Sequence, residues 1–200
     1  GFCESLRMAG FEVTGAVEKD KFAAESYRAN FPNIPLFEGD IAGFMPEEEP
    51  GKIEEHRRTY CDVERPDVVF GGPPCQGVSQ IGPRDPADPR NELYIHMCRL
   101  GKILNPRLIL IENVPNLVLL RDGIIKKRII KALRKIGYDN IGVSILLGTN
   151  YGLPQSRKRV FFLAGKSGEF PFSLQDVLDV TAESLREERT VTVDKAISDL

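Results

Sequence analysis

Residues 71–80 carry the sequence Gly-Gly-Pro-Pro-Cys-Gln-Gly-Val-Ser-Gln, and this stretch decides the predicted fold. The short, mainly apolar run at residues 67–70 precedes it and predicts a buried strand that ends at the two glycines. Two prolines fix the backbone before Cys75, and the flanking glycines let that backbone approach a ligand closely. Free cysteines are often buried in cores, but a core cysteine needs no such rigid loop. The setting therefore favours a thiolate held at the carboxyl end of a strand.

Strands and helices are predicted to alternate on both sides of this stretch. Periodicity predicts strands at residues 11–17, 35–37, 67–70, 108–111, 141–147 and 159–163, and helices at residues 2–9, 20–30, 91–104, 122–136 and 174–180. Residues 43–65 are predicted to be an irregular surface excursion, and residues 79–90 a rigid polar lid. The alternation predicts an α/β fold with a mostly parallel sheet and helices on both faces.

Two of these helices have predicted faces. Asp20 is expected to cap the helix at residues 20–30, whose inward side chains would be Phe22, Ala23 and Tyr27. The helix at residues 122–136 is amphipathic, and its apolar stripe is Ile125, Ile129, Leu133 and Ile136. Its many basic residues are expected to form the solvated face and not a nucleic-acid surface.

Length and composition limit the classes of protein to consider. The chain has 200 residues, 42% of them hydrophobic, which suffices for one sizeable domain. It has no run of about 18 apolar residues and no secretory signal, so we expect no membrane span and a cytoplasmic protein. The four cysteines form no Cys-x-x-Cys pair, which argues against a zinc site and a disulfide framework. With a net charge of −2, any nucleic-acid contact must come from a local patch or another part of the protein.

Polar residues directly follow four of the apolar runs, at Glu18, Asp40, Cys75 and Glu112. A single acidic residue after a strand is usually a turn residue or a helix cap, but parallel sheets bind ligands beyond the carboxyl ends of their strands. Four such residues in one sheet predict a crevice lined with carboxylates and a thiol. Glu18 and Asp40 are spaced like acids that hold ribose hydroxyls, although no glycine-rich phosphate loop is visible.

Cys75 and Glu112 form the more informative pair. An activated cysteine is a strong nucleophile, but a cysteine protease also needs a histidine base. His56 lies in the charged excursion and His96 within a helix, so neither is tied to Cys75 and acyl transfer is disfavoured. A carboxylic acid suits a different reaction, thiolate addition to an electron-poor heterocycle, because it can support the ring nitrogen.

Arg157 and Arg159 flank Lys158 on the approach to a predicted strand, so their side chains are expected to point to one face. One interpretation is a pair of donors to a carbonyl or phosphate group. The other is a solvated basic strand end. The pattern alone leaves both open.

Together these residues resemble the cytosine-5 DNA methyltransferases, in order and over nearly the whole chain. Gly1 and Phe2 are similar to the end of the first cofactor motif. Pro-Pro-Cys-Gln-Gly at residues 73–77 resembles the catalytic motif, and Asp-x-Arg-Asn-x-Leu at 88–93 the segment that follows it. Glu-Asn-Val at 112–114 resembles the catalytic acid motif, and Gln-x-Arg-x-Arg at 155–159 the basic motif.

The resemblance implies a Rossmann-like S-adenosylmethionine-dependent methyltransferase sheet, truncated at its first strand, with S-adenosylmethionine as cofactor and no metal. It implies catalytic roles for Cys75, Glu112, Arg157 and Arg159. It implies cofactor contacts from Phe2, Glu18, Lys19, Asp40, Ile41, Pro73 and Leu93. It implies substrate contacts from Gln76, Ser79, Asn113, Val114 and Gln155. Val78 and Lys19 depart from the family pattern, which usually has an aromatic residue and an apolar or aromatic one there; this bears on substrate geometry and not on the reaction class.

The implied reaction is methylation at C5 of a cytosine flipped out of double-stranded DNA. Cys75 would add to C6 and Glu112 would support N3. Arg159, with Arg157, would hold the cytosine O2 or a flanking phosphate. Two alternatives stay open: a tRNA or RNA cytosine-5 methyltransferase with the same core, and a catalytically silent module that binds S-adenosylmethionine or nucleic acid.

We expect residues 1–165 to form the catalytic, cofactor-binding domain and residues 166–200 a connector toward a target-recognition domain. The chain begins without Met and ends without a stop signal, so we expect a piece of a longer protein that is inactive or nearly so alone. The whole protein is expected to be a prokaryotic monomer, nucleoid-associated in use, and either solitary or part of a restriction-modification system.

Overall fold

The computed structural model of the chain describes residues 2–61, 63–74, 93–184, 191–196 and 198. They fall into two compact units. The first comprises Gly1–Asp67 with Arg99–Pro106, and the second comprises Val68–Cys98 with Arg107–Leu200. Each unit contains its own sheet. The predicted lid at residues 79–90 lies outside the described residues.

A parallel strand pair forms the centre of the first unit. Helix α1 (Phe2–Met8) precedes strand β1 (Ala16–Glu18), and α2 (Lys21–Asn30) connects β1 to β2 (Leu36–Glu38). β1 and β2 pair in parallel, with Glu18 opposite Glu38. The helices and β2 lie close to their predicted positions, whereas the strand predicted at residues 11–17 is found only at its end.

Asp20 caps α2 as predicted, because its side chain accepts a hydrogen bond of 2.8 Å from the backbone N–H of Ala23. The predicted inward face is partly wrong. Ala24 is the buried residue of α2, Tyr27 is half-buried, and Phe22 is 75% exposed. Ala24 and Tyr27 are three residues apart, so the covered stripe is narrower and rotated from the one predicted.

Helix α3 (Pro50–Tyr60) shows that the irregular excursion predicted at residues 43–65 is wrong. A proline opens the helix, where it is tolerated, and Ile53, His56 and Tyr60 recur at helical spacing on the covered face. The high charge of the other face hides this stripe in the sequence. His56 is buried, and its ring stacks on that of Phe44 with 5.5 Å between centroids.

The second unit contains a four-stranded mixed sheet. Its strands are β3 (Val68–Gly71), β4 (Leu108–Asn113), β5 (Asn140–Leu147) and β6 (Lys158–Gly165), in the order β3-β4-β6-β5. β3 and β4 pair in parallel, as predicted, but β6 runs antiparallel to both β4 and β5. The link from β5 to β6 is too short for the crossover that a parallel pair needs, and this explains the reversal.

Helices of the second unit cover one face of that sheet. They are α4 (Tyr94–Leu104), whose first part belongs to this unit, then α5 (Asn116–Leu119) and α6 (Ile124–Lys135). Alternate strand residues meet α6 in a fully buried core: Ile109, Ile111, Val160, Phe162, Ala164, Ile129 and Leu133. Ile125 is also buried, so three of the four predicted inward residues of α6 lie in the core, and Ile136 packs partly against it. Side chains alternate along a strand, so Glu112 of β4 and Arg159 of β6 lie on the other face of the sheet.

Two helices lie in the segment predicted to be a connector, α7 (Leu174–Ser184) and α8 (Val193–Ala196). Leu174 is 2% exposed. A Cβ placed on Gly142 of β5 would lie 2.6 Å from the carbonyl oxygen of Leu174. α7 therefore packs directly on β5. Among the described helices, none is long and apolar enough to cross a bilayer.

Candidate active site

Glu112 lies near the carboxyl end of β4 and is held there by arginine. Its Oε1 atom is 2.8 Å from Arg159 Nε and 3.9 Å from Arg157 Nη2. The Glu112 side chain is only 18% exposed and that of Arg159 25%, whereas Arg157 is 48% exposed. Arg159 is therefore the principal partner, because its shorter contact is also less screened by solvent.

The second carboxylate oxygen of Glu112 faces the segment that follows β3. Gly71 of β3 pairs with Ile111 of β4, which places Gly72 beside Glu112. A Cβ placed on Gly72 would lie 3.0 Å from Glu112 Oε2. The glycine thus leaves room for the carboxylate, three residues before Cys75.

Asn113 ties the same segment to the end of β4. It is 6% exposed, and its Nδ2 donates a 2.8 Å hydrogen bond to the carbonyl oxygen of Pro73. Its Oδ1 accepts a 2.8 Å hydrogen bond from the backbone N–H of Val114. Because both polar atoms of a buried amide are satisfied, Asn113 fixes the backbone that leads to Cys75 relative to Glu112.

The predicted catalytic and substrate residues are brought together only in part. Glu112, Arg157 and Arg159 lie in contact, with Asn113 and Val114 beside them. Gln155 is exposed just before β6, and its carbonyl oxygen accepts a 2.8 Å hydrogen bond from the backbone N–H of Arg157. Cys75, Gln76 and Ser79 lie outside the described residues, so their placement stays a prediction.

Three other cysteines are described, and two have a raised pKa. Burial raises the pKa of the Cys98 thiol to about 11. Burial also raises the pKa of Cys61, against the opposing effect of Arg57. Cys3 Sγ lies 3.4 Å from the hydroxyl oxygen of Tyr27. Cys98 and Cys61 are therefore weaker nucleophiles than an ordinary cysteine, because the thiolate is the reactive form. Cys75 stays the predicted nucleophile.

Glu18 and Asp40 lie at one edge of the β1–β2 pair, as predicted. The backbone N–H of Gly39 donates a 2.9 Å hydrogen bond to the carbonyl oxygen of Glu18, so the two strand ends are adjacent. Glu18 Oε1 accepts 2.8 Å hydrogen bonds from the backbone N–H groups of Lys19 and Asp20. Both bonds use one oxygen, so the second oxygen can accept from a hydroxyl donor.

Asp40 is oriented by its own loop and by Lys19. Its Oδ1 accepts a 2.9 Å hydrogen bond from the backbone N–H of Ala42, and its Oδ2 is 2.6 Å from Lys19 Nζ. The Lys19 and Asp40 side chains are 74% and 49% exposed, so this ion pair contributes little to stability. Lys19 thus contacts the acid that the resemblance assigns to adenine.

The remaining predicted cofactor residues are spread over both units. Phe2 opens α1, and Ile41 follows Asp40; both are half-buried. Pro73 and Leu93 belong to the second unit, Leu93 in the turn before α4. Glu18 and Asp40 belong to the first unit and Glu112 to the second. The single crevice predicted to be lined by these three residues and Cys75 stays a prediction. Within the described part of the chain, no group of three or more His, Cys, Asp or Glu residues could hold a metal ion.

Sequence reasoning missed the contacts that organise the Glu112 site. The Glu112–Arg159 ion pair and the close approach of Gly72 depend on how β3, β4 and β6 pair, and strand register is not visible in the sequence. Alternation along residues 157–159, where β6 begins, was the available signal, since it predicts that Arg157 and Arg159 point to one side. It could not identify Glu112 as their partner.

Comparisons with known proteins place this site in context. The family model for C-5 cytosine-specific DNA methylase matches residues 1–200. The Type II methyltransferase M.DdeI of Desulfomicrobium norvegicum is 35% identical over 100% of this chain and 46% of its own length. The Type II methyltransferase M1.HphI of Haemophilus parahaemolyticus is 32% identical over 84% of this chain and 44% of its own length. The chain therefore spans about half the length of the curated relatives it matches.

Solved structures agree with the family match. A structure described as a prophage-encoded DNA modification methyltransferase of E. coli aligns with a TM-score of 0.71 and 30% identity, over 94% of this chain and 49% of that one. The S. pombe Dnmt2 methyltransferase aligns with a TM-score of 0.64 over 94% of this chain and 54% of its own. At 24% identity, the second likeness supports the fold alone. The Rossmann-like methyltransferase fold predicted from the sequence is confirmed.

Proposed function

This chain belongs to the C-5 cytosine-specific DNA methylase family, and from that premise we propose that its protein methylates C5 of cytosine in double-stranded DNA, with S-adenosylmethionine as the methyl donor. The observation that carries the proposal is the Glu112 carboxylate, held by Arg159 beside the backbone that leads to Cys75. Addition of a thiolate to a pyrimidine ring needs a group that supports the ring nitrogen, and a carboxyl group can do this.

Cys75 starts the proposed reaction on a cytosine flipped out of its stack. The thiolate forms a bond to C6, and the electrons of the C5–C6 double bond move toward C5, which becomes nucleophilic. C5 forms a bond to the methyl carbon as the bond from that carbon to the sulfonium sulfur breaks, which would leave a neutral thioether. A base then removes the C5 proton. The electrons of that C–H bond re-form the double bond, and the Cys75 thiolate leaves.

Glu112 supports the ring nitrogen during the addition. Arg159 engages Oε1, while Oε2 is the oxygen that faces Gly72 and the approach to Cys75. We therefore assign Oε2 to N3 of the cytosine, where it shares a proton as negative charge develops on the ring. Arg159 then has two roles, fixing the carboxylate and donating to the cytosine O2, and Arg157 assists it.

Glu18 and Asp40 fit the cofactor that the family implies. A nucleoside presents two ribose hydroxyls and an exocyclic amine, all of which are donors, and the β1–β2 edge offers two adjacent carboxylates as acceptors. We propose that Glu18 holds the ribose and that Asp40 with Ile41 holds the adenine. Phe2, Pro73 and Leu93 are the further cofactor contacts that the family resemblance implies. When bound, the cofactor supplies an electrophilic methyl group on a sulfonium.

We propose that Lys19 releases the Asp40 carboxylate when the cofactor binds. Its ion pair with Asp40 is exposed, so exchanging it for the adenine amine costs at most about 1 kcal/mol. The long side chain can then cover the adenine with its methylene groups.

The remaining predicted contacts are assigned to the DNA. Gln76, Ser79 and Gln155 are polar groups proposed to bind the flipped nucleotide and its backbone, and Asn113 and Val114 shape the pocket beside Glu112. The choice of target sequence is left to a part of the protein beyond the described residues.

The test is methyl transfer by the intact protein. Purified protein is incubated with methyl-labelled S-adenosylmethionine and either double-stranded DNA or tRNA, and nucleosides are identified by mass spectrometry after digestion. We expect labelled 5-methyldeoxycytidine, absent with a Cys75→Ser variant. Label in tRNA alone would assign an RNA substrate instead. Cofactor binding without transfer to either substrate would favour the catalytically silent module.

A further inference from the structure

The loop at residues 40–45, called here the Asp40 loop, ends in a strained and buried residue. Met45 is 0% exposed and has φ of 48°, a left-handed conformation unusual for a residue with a side chain. Such a conformation persists only when surrounding contacts determine it. The contacts around Met45 therefore decide the path of the loop.

Two side chains, Arg99 and His56, bind the backbone of this loop, and we call them the clamp. The backbone N–H of Met45 donates a 3.0 Å hydrogen bond to His56 Nδ1. Arg99 Nη1 donates a 2.6 Å hydrogen bond to the carbonyl oxygen of Met45, and its Nη2 donates to the carbonyl oxygen of Ile41. Both polar groups of Met45 and the first carbonyl after Asp40 are thus held from outside the loop.

The two side chains of the clamp suit the backbone groups that they bind. A guanidinium is a planar fork that can serve two carbonyls in fixed directions, which the single ammonium of lysine cannot do in the same way. Burial lowers the pKa of Arg99, whereas the nearby carboxylates of Glu47 and Glu48 act in the opposite direction and favour the charged guanidinium. His56 accepts through Nδ1, which requires the neutral ring, and its stacking on Phe44 fixes the ring plane.

The clamp reaches the Asp40 carboxylate through the loop backbone. Asp40 Oδ1 accepts a 2.9 Å hydrogen bond from Ala42 N–H, and the Asp40 carbonyl oxygen accepts one of 2.9 Å from Gly43 N–H. A shift of residues 41–45 therefore turns the carboxylate. The clamp residues and the whole loop belong to the first unit.

We propose that Arg99 and His56 are positioning residues that hold the Asp40 loop in the conformation that recognises the adenine of the cofactor. The inference rests on the proposed function, since it takes Asp40 as the adenine acceptor. A carboxylate accepts a hydrogen bond from the exocyclic amine of adenine but opposes the carbonyl oxygen that hypoxanthine carries at that place. The clamp thus sets discrimination between these two bases as well as affinity.

The experiment compares the affinity of the intact protein for S-adenosylhomocysteine and for the analogue with hypoxanthine in place of adenine, by calorimetry. We expect the wild type to prefer the adenine compound by about tenfold or more. Arg99→Gln should weaken binding of the adenine compound roughly tenfold and leave the hypoxanthine compound nearly unchanged, so that the preference collapses. Arg99→Lys, which keeps the charge and one donor, should lie between.

Arg57 offers the matched control. It too donates to two backbone carbonyls, at 3.2 Å to Ile103 and also to Glu64, but neither belongs to the Asp40 loop. Arg57→Gln should lower the melting temperature as Arg99→Gln does and leave the adenine preference intact. A double variant of Arg99→Gln with Asp40→Asn should lose little more than Asp40→Asn alone, because both changes act on one contact.

The outcomes separate the two proposals. A wild-type protein that binds neither compound would overturn the proposed function and this inference with it. A wild type that prefers adenine while both Arg99 variants keep that preference would overturn the inference alone. Equal loss in the Arg57→Gln and Arg99→Gln variants would also overturn it, because the effect would then be one of general stability. If Arg99→Gln does not fold, Arg99→Lys provides the same comparison.

Discussion

At the scale of single residues, Glu112 is distinguished by having each carboxylate oxygen in a different environment. Oε1 lies 2.8 Å from Arg159 Nε, and Oε2 faces Gly72. An ordinary surface ion pair would turn freely, but this carboxylate is only 18% exposed. Its direction is therefore set before a substrate arrives, which is how preorganised groups lower a reaction barrier.

Replacing Glu112 with Gln should remove the acid function while keeping the size of the side chain. We expect methyl transfer to fall by roughly 10²–10⁴-fold, the range that general acid–base groups contribute. Glu169→Gln is the control, since Glu169 pairs with Arg107 at 3.6 Å just before the other end of β4. That variant should keep full activity and lose at most about 1 kcal/mol of unfolding free energy. Equal activity of both variants would contradict the role of Glu112.

Adding a methyl group at Gly72 should disturb the same carboxylate. A Cβ there would lie 3.0 Å from Glu112 Oε2, so the carboxylate must move by a few tenths of an ångström. We expect Gly72→Ala to reduce turnover by about tenfold, because small displacements of reacting groups are costly. Gly51→Ala, with nothing within 4 Å of the added Cβ, should keep turnover and stabilise α3 slightly. Unchanged turnover in Gly72→Ala would mean that Oε2 does not act on the substrate.

At this scale the sequence identified the residues but not their partners. Pro-Pro-Cys-Gln and Glu-Asn-Val indicated Cys75 and Glu112 by their chemistry and by the strands before them. Gly72 was interpreted as a backbone that approaches a ligand, whereas in the structure it makes room for Glu112. Such a contact depends on two strands far apart in sequence, so local pattern cannot supply it.

At the scale of elements, the paired ends of β3 and β4 position the residues of the Glu112 site. Asn113 joins the end of β4 to Pro73, two residues before Cys75, through a buried hydrogen bond of 2.8 Å. Parallel pairing alone fixes the strands only as far as Gly71. The amide therefore extends that rigidity toward the predicted nucleophile.

Removing this link should affect both stability and activity. Asn113→Ala leaves the Pro73 carbonyl oxygen without its donor and should cost about 1–3 kcal/mol of unfolding free energy, measured by urea denaturation. We also expect slower methyl transfer. Asn140→Ala is the matched control, because Asn140 likewise ties a strand to a later segment, donating to Phe172 O at 2.7 Å and accepting from Leu174 N–H at 2.9 Å. It should lose similar stability and keep its activity; if Asn113→Ala also kept its activity, the link would be structural only.

Elements with a strong apolar period were predicted well, and the others were not. The stripe of α6 and the apolar run of β4 are visible in the sequence, and the core contains most of the α6 stripe and Ile109 and Ile111 of the β4 run. The stripe of α3 consists of Ile53, His56 and Tyr60 among charged residues, so composition concealed it. The direction of β6 follows from the short link after β5, which the alternation of strands and helices did not take into account.

At the scale of the whole molecule, the chain carries two sets of groups on two sheets. The β1–β2 edge presents Glu18 and Asp40, and the β3–β4 edge presents Glu112 and the approach to Cys75. The proposed function joins these two sets into one reaction, in which a nucleoside cofactor and a cytosine must meet. The chain spans about half the length of its curated relatives, so the substrate and partners of the whole protein are proposals.

Covalent trapping tests the central claim most directly. The intact protein is incubated with S-adenosylmethionine and double-stranded DNA that contains 5-fluorocytosine, whose fluorine blocks loss of the C5 substituent after methyl transfer. We predict a denaturant-resistant protein–DNA adduct that peptide mass spectrometry locates at Cys75 and that is absent in Cys75→Ala. An adduct that persists in Cys75→Ala, or methylation of ordinary cytosine DNA by that variant, would contradict nucleophilic catalysis by Cys75.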